Sequence, residues 1–309
     1  MAVIEAQNLG KSYGSKRAVD DLSFTVRPGT VTGFLGPNGS GKSTTMRLML
    51  GLDRGDGRTT FDGKTFAELE RPMQHVGALL EAKPFHPTRR ARDHLRMLAA
   101  ASGISRRRVD EVLTLVGLDT VDRGRPRTFR LGMGQRLGLA AALLGDPHTL
   151  VLDEPSNGLD PQGITWLRTL LRQLAGEGRS VFVSSHLLQE MALLADELVV
   201  VGRGTLLANG PVSDFVDDPS RRKVVLRTPD AAVLLPVLEA AGATVAADDG
   251  AHVVTGLDAA VIGDLAHEHG ARLHELTVRR ASLEEAFLAA TGLDEEYRGS
   301  LGPGQGAGR

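Results

Sequence analysis

The chain has 309 residues, a net charge of −2, 41% hydrophobic residues and no cysteine. That length exceeds one ordinary compact domain and leaves room for a full core plus a smaller second unit. The lack of cysteine excludes disulfides and thiolate metal sites and suits a reducing compartment, and the near-neutral charge gives no overall case for nucleic acid. The N-terminus "MAVIEAQNLGKSYG" lacks a basic segment followed by an apolar stretch, and no window reaches the ~20 apolar residues that span a bilayer. A soluble chain that stays in the cytosol is the expectation.

In chain order, "VTGFL" (31–35) is the first continuous apolar run of the kind that forms a strand buried on both faces. A helix is expected from Lys42. From about Pro87 to Leu144 no strand candidate occurs, and "ARDHLRMLAAASG", "SRRRVDEVLTLVG" and "RLGLAAALLGD" read as successive helices ending at glycine or before Pro147. Strand-type runs resume with "HTLVLD" (148–153), "SVFVSS" (180–185) and "ELVVVG" (197–202). The alternation predicts an α/β fold with a largely parallel sheet, interrupted by a helical insertion over 87–144. Arginines cluster in "RRARDHLR", "SRRRVDE" and "DRGRPRTFR", as a solvated face or as a partner surface.

After "ANGPVSDFVDDPS" the pattern restarts. "KVVLRT", a helix "DAAVLLPVLEAAG", "TVAAD", "HVVTG", a helix "LDAAVIGDLAHEHG" and "RLHELTVRR" follow the order of the split βαβ fold, with one more helix, "SLEEAFLAATG". This predicts a first domain over 1–215, a small α+β C-terminal domain over 222–293, and a tail over 294–309 too poor in apolar residues to pack.

"GFLGPNGSGKSTTMRLMLG" fits the P-loop pattern through Gly36, Gly41, Lys42 and Ser43, between a strand and a helix as that motif requires. Gly36 and Pro37 open the loop, and backbone N–H groups of Asn38, Gly39, Ser40, Gly41, Lys42, Ser43 and Thr44 can cradle phosphates at a helix N-terminus. Lys42 then reaches the β- and γ-phosphates, and the Ser43 hydroxyl ligates Mg²⁺. "TLVLDEP" closes an apolar strand on two carboxylates. Asp153 is placed to hold Mg²⁺ through water, and Glu154 to orient or deprotonate the attacking water. A third stretch, "TFRLGMGQR" (128–136), sets glycines at a helix start, either to hold an anion or simply to turn the chain.

The P-loop, "RLGMGQR", "VLDEPSNGLDP" and "VSSH", in this order and spacing, resemble the ATP-binding subunit of an ABC transporter. "LGMxQR" and the C-terminal "SLEEAFLAATG" are similar to the daunorubicin-resistance type, a drug and antibiotic export branch. The resemblance implies a P-loop ABC ATPase domain with ATP and Mg²⁺ as cofactors. It further implies pairing of two ATPase subunits, identical or different, and a separate multispanning permease at the cytoplasmic face of the membrane. In that family Tyr13 takes the place of the aromatic that stacks on adenine, Asp160 that of the loop speaking across the dimer, and His186 that of the γ-phosphate contact. The helix start of one subunit caps the triphosphate of the other, which puts Arg130 where a serine is usual, Leu131 at the first glycine, Gly132 at the second and Met133 at the glutamine. Arg130 is then either a charged ligand to the partner's γ-phosphate or a solvated neighbour of Arg125, Arg127 and Arg136. Glu81 in "VGALLEAKPF" falls where the family has a glutamine that senses Mg²⁺, and it equally fits a solvated strand-end acid. Two other function classes are a degenerate subunit that binds ATP but barely hydrolyses it, and a soluble ATPase acting on ribosomes or DNA. The latter lacks its marks here, a tandem second ATPase unit or a long coiled coil.

Overall fold

A computed structural model describes residues 3–80, 85–86, 88–120, 124, 129–216, 223–248, 250–279 and 283–291. The chain divides into two compact units, Met1–Pro211 and Val212–Arg309. The first unit runs β1 (Ile4–Tyr13), β2 (Lys16–Val26), β3 (Val31–Leu35), α1 (Lys42–Met49), β4 (Asp56–Phe61), α2 (Pro72–His75) and β5 (Val76–Leu79). Three helices follow, α3 (Ala91–Ala101), α4 (Arg106–Leu115) and α5 (Leu131–Leu143), then β6 (Thr149–Leu152), α6 (Pro161–Gly176), β7 (Ser180–Ser184), α7 (Leu188–Leu194), β8 (Glu197–Gly202) and β9 (Thr205–Pro211).

The main sheet has the order β5-β6-β7-β3-β8-β9, parallel except for the antiparallel edge strand β9. Every residue of β3, β6 and β7 is buried, which is why these strands read as unbroken apolar runs. A second sheet, β2-β1-β4, is antiparallel and packs against the first. Phe24 of β2, Phe34 of β3 and Phe182 of β7 lock the two together, with ring centroids 4.9–5.9 Å apart.

The sequence reading did not foresee the β1, β2 and β4 sheet. Asn8 has φ +50 and the β1–β2 register shifts three times along β1, so the alternation that marks a half-buried strand is broken. The helical insertion lies between β5 and β6, and its buried faces carry Leu95, Val109, Val112, Leu113 and Leu137. Helix α5 starts at Leu131 and not at the apolar run from Arg136, so Gly132 and Gly134 lie within the helix.

The second unit runs α8 (Val212–Val216), β10 (Lys223–Arg227), α9 (Ala231–Ala240), β11 (Thr244–Asp248), β12 (Ala251–Thr255), α10 (Ala259–Glu268), β13 (Glu275–Arg279) and α11 (Leu283–Thr291). Its sheet, β11-β12-β10-β13, is antiparallel throughout. Leu234 and Leu238 of α9 and Ile262 and Ala266 of α10 bury Val224, Leu226 and Val254. Asp230, just ahead of α9, accepts both a bidentate pair from Arg272 and its backbone N–H, which holds its carboxyl down at about 2. The expected tail over 294–309, Glu81, Arg125 and Arg127 all lie outside the described residues.

Candidate functional site

Strand β3 ends at Leu35 and α1 begins at Lys42, so the six residues between them turn a strand end into a helix start. Gly41 makes the last step at φ +103, and a Cβ there would sit 2.4 Å from the Ala18 carbonyl oxygen; only glycine meets both demands. No side chain caps α1, so the N–H groups of its first turn keep their capacity for an anion. From behind, the hairpin between β8 and β9 supports the loop, Gly204 N–H donating to the Ser40 carbonyl at 3.0 Å.

The Lys42 ammonium is buried and donates to the carbonyls of Gly36 (2.7 Å) and Pro37 (3.3 Å). Burial holds it below the ordinary lysine value, against the upward pull of Glu154 and Asp153. A cation held by two neutral carbonyls exchanges them readily for phosphate oxygens, because the charge-assisted bonds are stronger.

Across the cleft, β6 delivers Asp153 and Glu154 to the carboxyl end of the sheet. Asp153 accepts from Ser43 Oγ and Ser184 Oγ, both at 2.5 Å. Ser184 Oγ in turn accepts the Glu154 N–H at 2.9 Å. Glu154 has φ +49, a strained backbone for a non-glycine residue that costs about 1–3 kcal/mol and persists where its surroundings fix it. Those surroundings are Ser184 on its N–H and Gln135 Nε2 on its carbonyl at 2.9 Å. The Glu154 carboxylate meets His186 Nδ1 at 2.6 Å, in the sense that orients an imidazole with its Nε2 outward.

A cleft of about 360 Å³ is lined by Tyr13, Lys16, Ala18, Asn38, Gly39, Gly41, Lys42, Ser43, Thr44, Asp153 and Glu154. His186 joins this group through Glu154, and Gly36 and Pro37 through Lys42. Among the described residues no group of three or more His, Asp or Glu side chains could hold a metal. The hydroxyl and carboxylate of Ser43 and Asp153 nevertheless fit Mg²⁺, which takes one or two protein oxygens and completes its shell with phosphate and water.

Arg130, Gly132 and Asp160 do not line this cleft. Arg130 is the exposed N-cap residue of α5; its carbonyl accepts the N–H groups of Met133 (3.0 Å) and Gly134 (3.2 Å), and its side chain neither caps the helix nor hydrogen-bonds any described residue. Arg136, one of the neighbours named for it in the solvated reading, is half-buried. Arg136 lies 4.3 Å over the Trp166 ring and donates to the Val116 carbonyl at 2.9 Å. Gly132 packs so closely on the loop after Glu154 that a Cβ would sit 2.8 Å from the Gly158 carbonyl oxygen. Asp160 caps α6, accepting the Gly163 N–H at 2.8 Å.

Sequence reasoning passed over Ser184 and Gln135. Gln135 is 2% exposed in a largely apolar helix, and a buried amide in such a run is the signal that it holds a specific partner.

An ABC transporter family matches residues 19–157, and a domain of unknown function, DUF8746, matches residues 222–284. The ABC transporter ATP-binding protein YhcH of Bacillus subtilis (strain 168), itself uncharacterised, is 37% identical over 95% of this chain and 97% of its own. The chain belongs to the ABC transporter ATP-binding proteins. The bacitracin transport ATP-binding protein BcrA of Bacillus licheniformis is 40% identical over 68% of this ATP-binding protein and 70% of its own length. The dimeric structure of the bacterial ABC transporter cassette MJ0796 is 21% identical and shares the fold, with a TM-score of 0.63 over 68% of this chain and 98% of that one. As a member of this family the protein binds ATP and is an ATPase. Among its described residues no helix is long and apolar enough to cross a membrane.

Proposed function

We propose that this ATPase is the motor subunit of a drug or antibiotic exporter, working as a pair of ATP-binding subunits against a separate multispanning permease at the cytoplasmic face of the membrane. The bacitracin-transport relative supports the cargo class. The observation that carries the reading is the convergence of Ser43 on Asp153 and of Glu154 on His186 in the cleft that also holds Lys42.

Tyr13 offers its ring to the base. Backbone N–H groups from Asn38 to Thr44 bind the phosphates, and Lys42 leaves the carbonyls of Gly36 and Pro37 for the β- and γ-phosphate oxygens. Ser43 and Asp153 would hold Mg²⁺, which would neutralise charge on the phosphates, and Glu81 takes the family place of the glutamine that senses it. The Glu154 carboxylate takes the proton of the attacking water, and His186, held at Nδ1 by Glu154 Oε2, turns Nε2 toward the γ-phosphate. Gly132 and Asp160 act on the partner's side of a closed pair, with the backbone N–H groups at the α5 N-terminus capping the partner's triphosphate and the Arg130 side chain turned to solvent.

Glu154→Gln tests the reading because it removes only the proton acceptor. The variant is expected to bind ATP, lose turnover and form an ATP-dependent dimer in light scattering. Full turnover, or a monomer with ATP, overturns it. Co-purification from membranes with mass spectrometry identifies the permease.

A further inference from the structure

One polar cluster beside the cleft has no task in the chemistry above. Tyr13 Oη donates to Asp53 Oδ2 at 3.2 Å. The same carboxylate receives two bonds from Arg47, Nε to Oδ2 at 3.0 Å and Nη2 to Oδ1 at 3.1 Å. Such a fork-on-carboxylate pair fixes direction as well as distance. Arg47 belongs to the last turn of α1, so the pair ties the P-loop helix to the end of β1. The anchor is sheltered and the ring is open: the Asp53 side chain is 18% exposed, whereas Tyr13 is 53% exposed. Lys11 Nζ lies 5.1 Å from the Tyr13 ring centroid and donates to the Arg54 carbonyl at 2.5 Å, which fixes the ammonium over one face of the ring.

We infer that Asp53, clamped by Arg47, is a positioning residue that holds the Tyr13 ring ready for the nucleotide base, with Lys11 covering the ring's other face. The inference rests on Tyr13 being the base platform. An exposed ring with a free hydroxyl samples several rotamers and must give them up when a base stacks on it; a ring already tied at its hydroxyl has lost that freedom before binding. The Tyr13–Asp53 bond therefore strengthens binding of a nucleotide with a base and has no effect on phosphate alone.

Calorimetric titration of the full chain with a non-hydrolysable Mg-ATP analogue and with tripolyphosphate, which has no base, tests this. Tyr13→Phe keeps the ring and removes the hydroxyl, and Asp53→Asn keeps the shape and removes the charge that Arg47 grips. Each is expected to weaken the ATP analogue by roughly two- to tenfold, the scale of one net hydrogen bond, and to leave tripolyphosphate unchanged. The double variant is expected to be no weaker than the weaker single one, since both act on the same bond. Parent-like affinity in both single variants, with a loss in Tyr13→Ala, overturns the positioning role and leaves the base platform standing. Parent-like affinity in Tyr13→Ala overturns the platform and the inference with it. An equal loss for tripolyphosphate in Asp53→Asn shows support of α1 alone and also overturns the inference.

Discussion

Two helices of the first unit, α1 and α5, begin with glycines nearby and with no side-chain cap, yet the chain surrounds them differently. At α1 the left-handed Gly41 turns the chain into the helix, and Lys42, Ser43, Asp153 and Glu154 stand around the opening. At α5 the N-cap Arg130 is extended, Leu131 is 42% exposed, and the chain's own contacts lie behind, through Gly132 on Gly158 and Gln135 on Glu154. The same local device is thus a whole site in one place and half of one in the other. Open N–H groups at a helix start bind an anion only when something else brings the anion there. The fold supplies that company at α1, and a second subunit supplies it at α5 in the proposed pair.

Substitutions at four positions break or sharpen this contrast. Glu154→Gln removes the proton acceptor of the complete site, and a fall in turnover of ~10²–10⁴-fold is expected in a steady-state ATPase assay with the permease present. Lys42→Ala removes a charge-assisted contact worth roughly 1.5–3 kcal/mol, so ATP affinity is expected to drop tenfold or more by calorimetry. Unchanged affinity would mean that the α1 opening is not the triphosphate site.

Gln135→Leu acts on the link between the two helix starts. It removes the Nε2 bond to the Glu154 carbonyl, which keeps the Asn157 N–H at 3.1 Å, and a stability loss of about 0.5–1.5 kcal/mol is expected in chemical denaturation, with slower turnover as the Glu154 backbone is held less firmly. A variant as stable and as active as the parent would remove Gln135 from the site. The smallest effect is expected at Arg130. Arg130→Ser and Arg130→Ala should leave turnover within about threefold, as for an exposed side chain that bonds no described residue. A loss of ~10³-fold in both would instead make Arg130 a phosphate ligand of the arginine-finger kind.

Legibility in the sequence followed burial. Strands β3, β6, β7 and β8, enclosed on both faces, needed apolar residues at nearly every position, and the P-loop and the paired acids sit at their ends. Strand β1 escaped because its register shifts scatter its buried residues, and Ser184 and Asp53 escaped because a serine in a strand and an aspartate in a turn carry no pattern of their own.

By itself the sequence determined the buried central strands of the main sheet, the strand-and-helix order of the second unit, the P-loop and the identity of the acids at the end of β6, because local conformation and burial impose period and residue type along the chain. Only the tertiary structure decided which distant side chains meet. Ser43 and Asp153 are 110 positions apart, Glu154 and His186 32 apart, and Tyr13 and Asp53 40 apart. Hydrogen bonds of a few ångströms carry no trace of such separations. The Ser43–Asp153 and Glu154–His186 bonds come from strand order, which sets β7 between β6 and β3 and so gathers at the carboxyl end of the sheet what the chain spreads along its length.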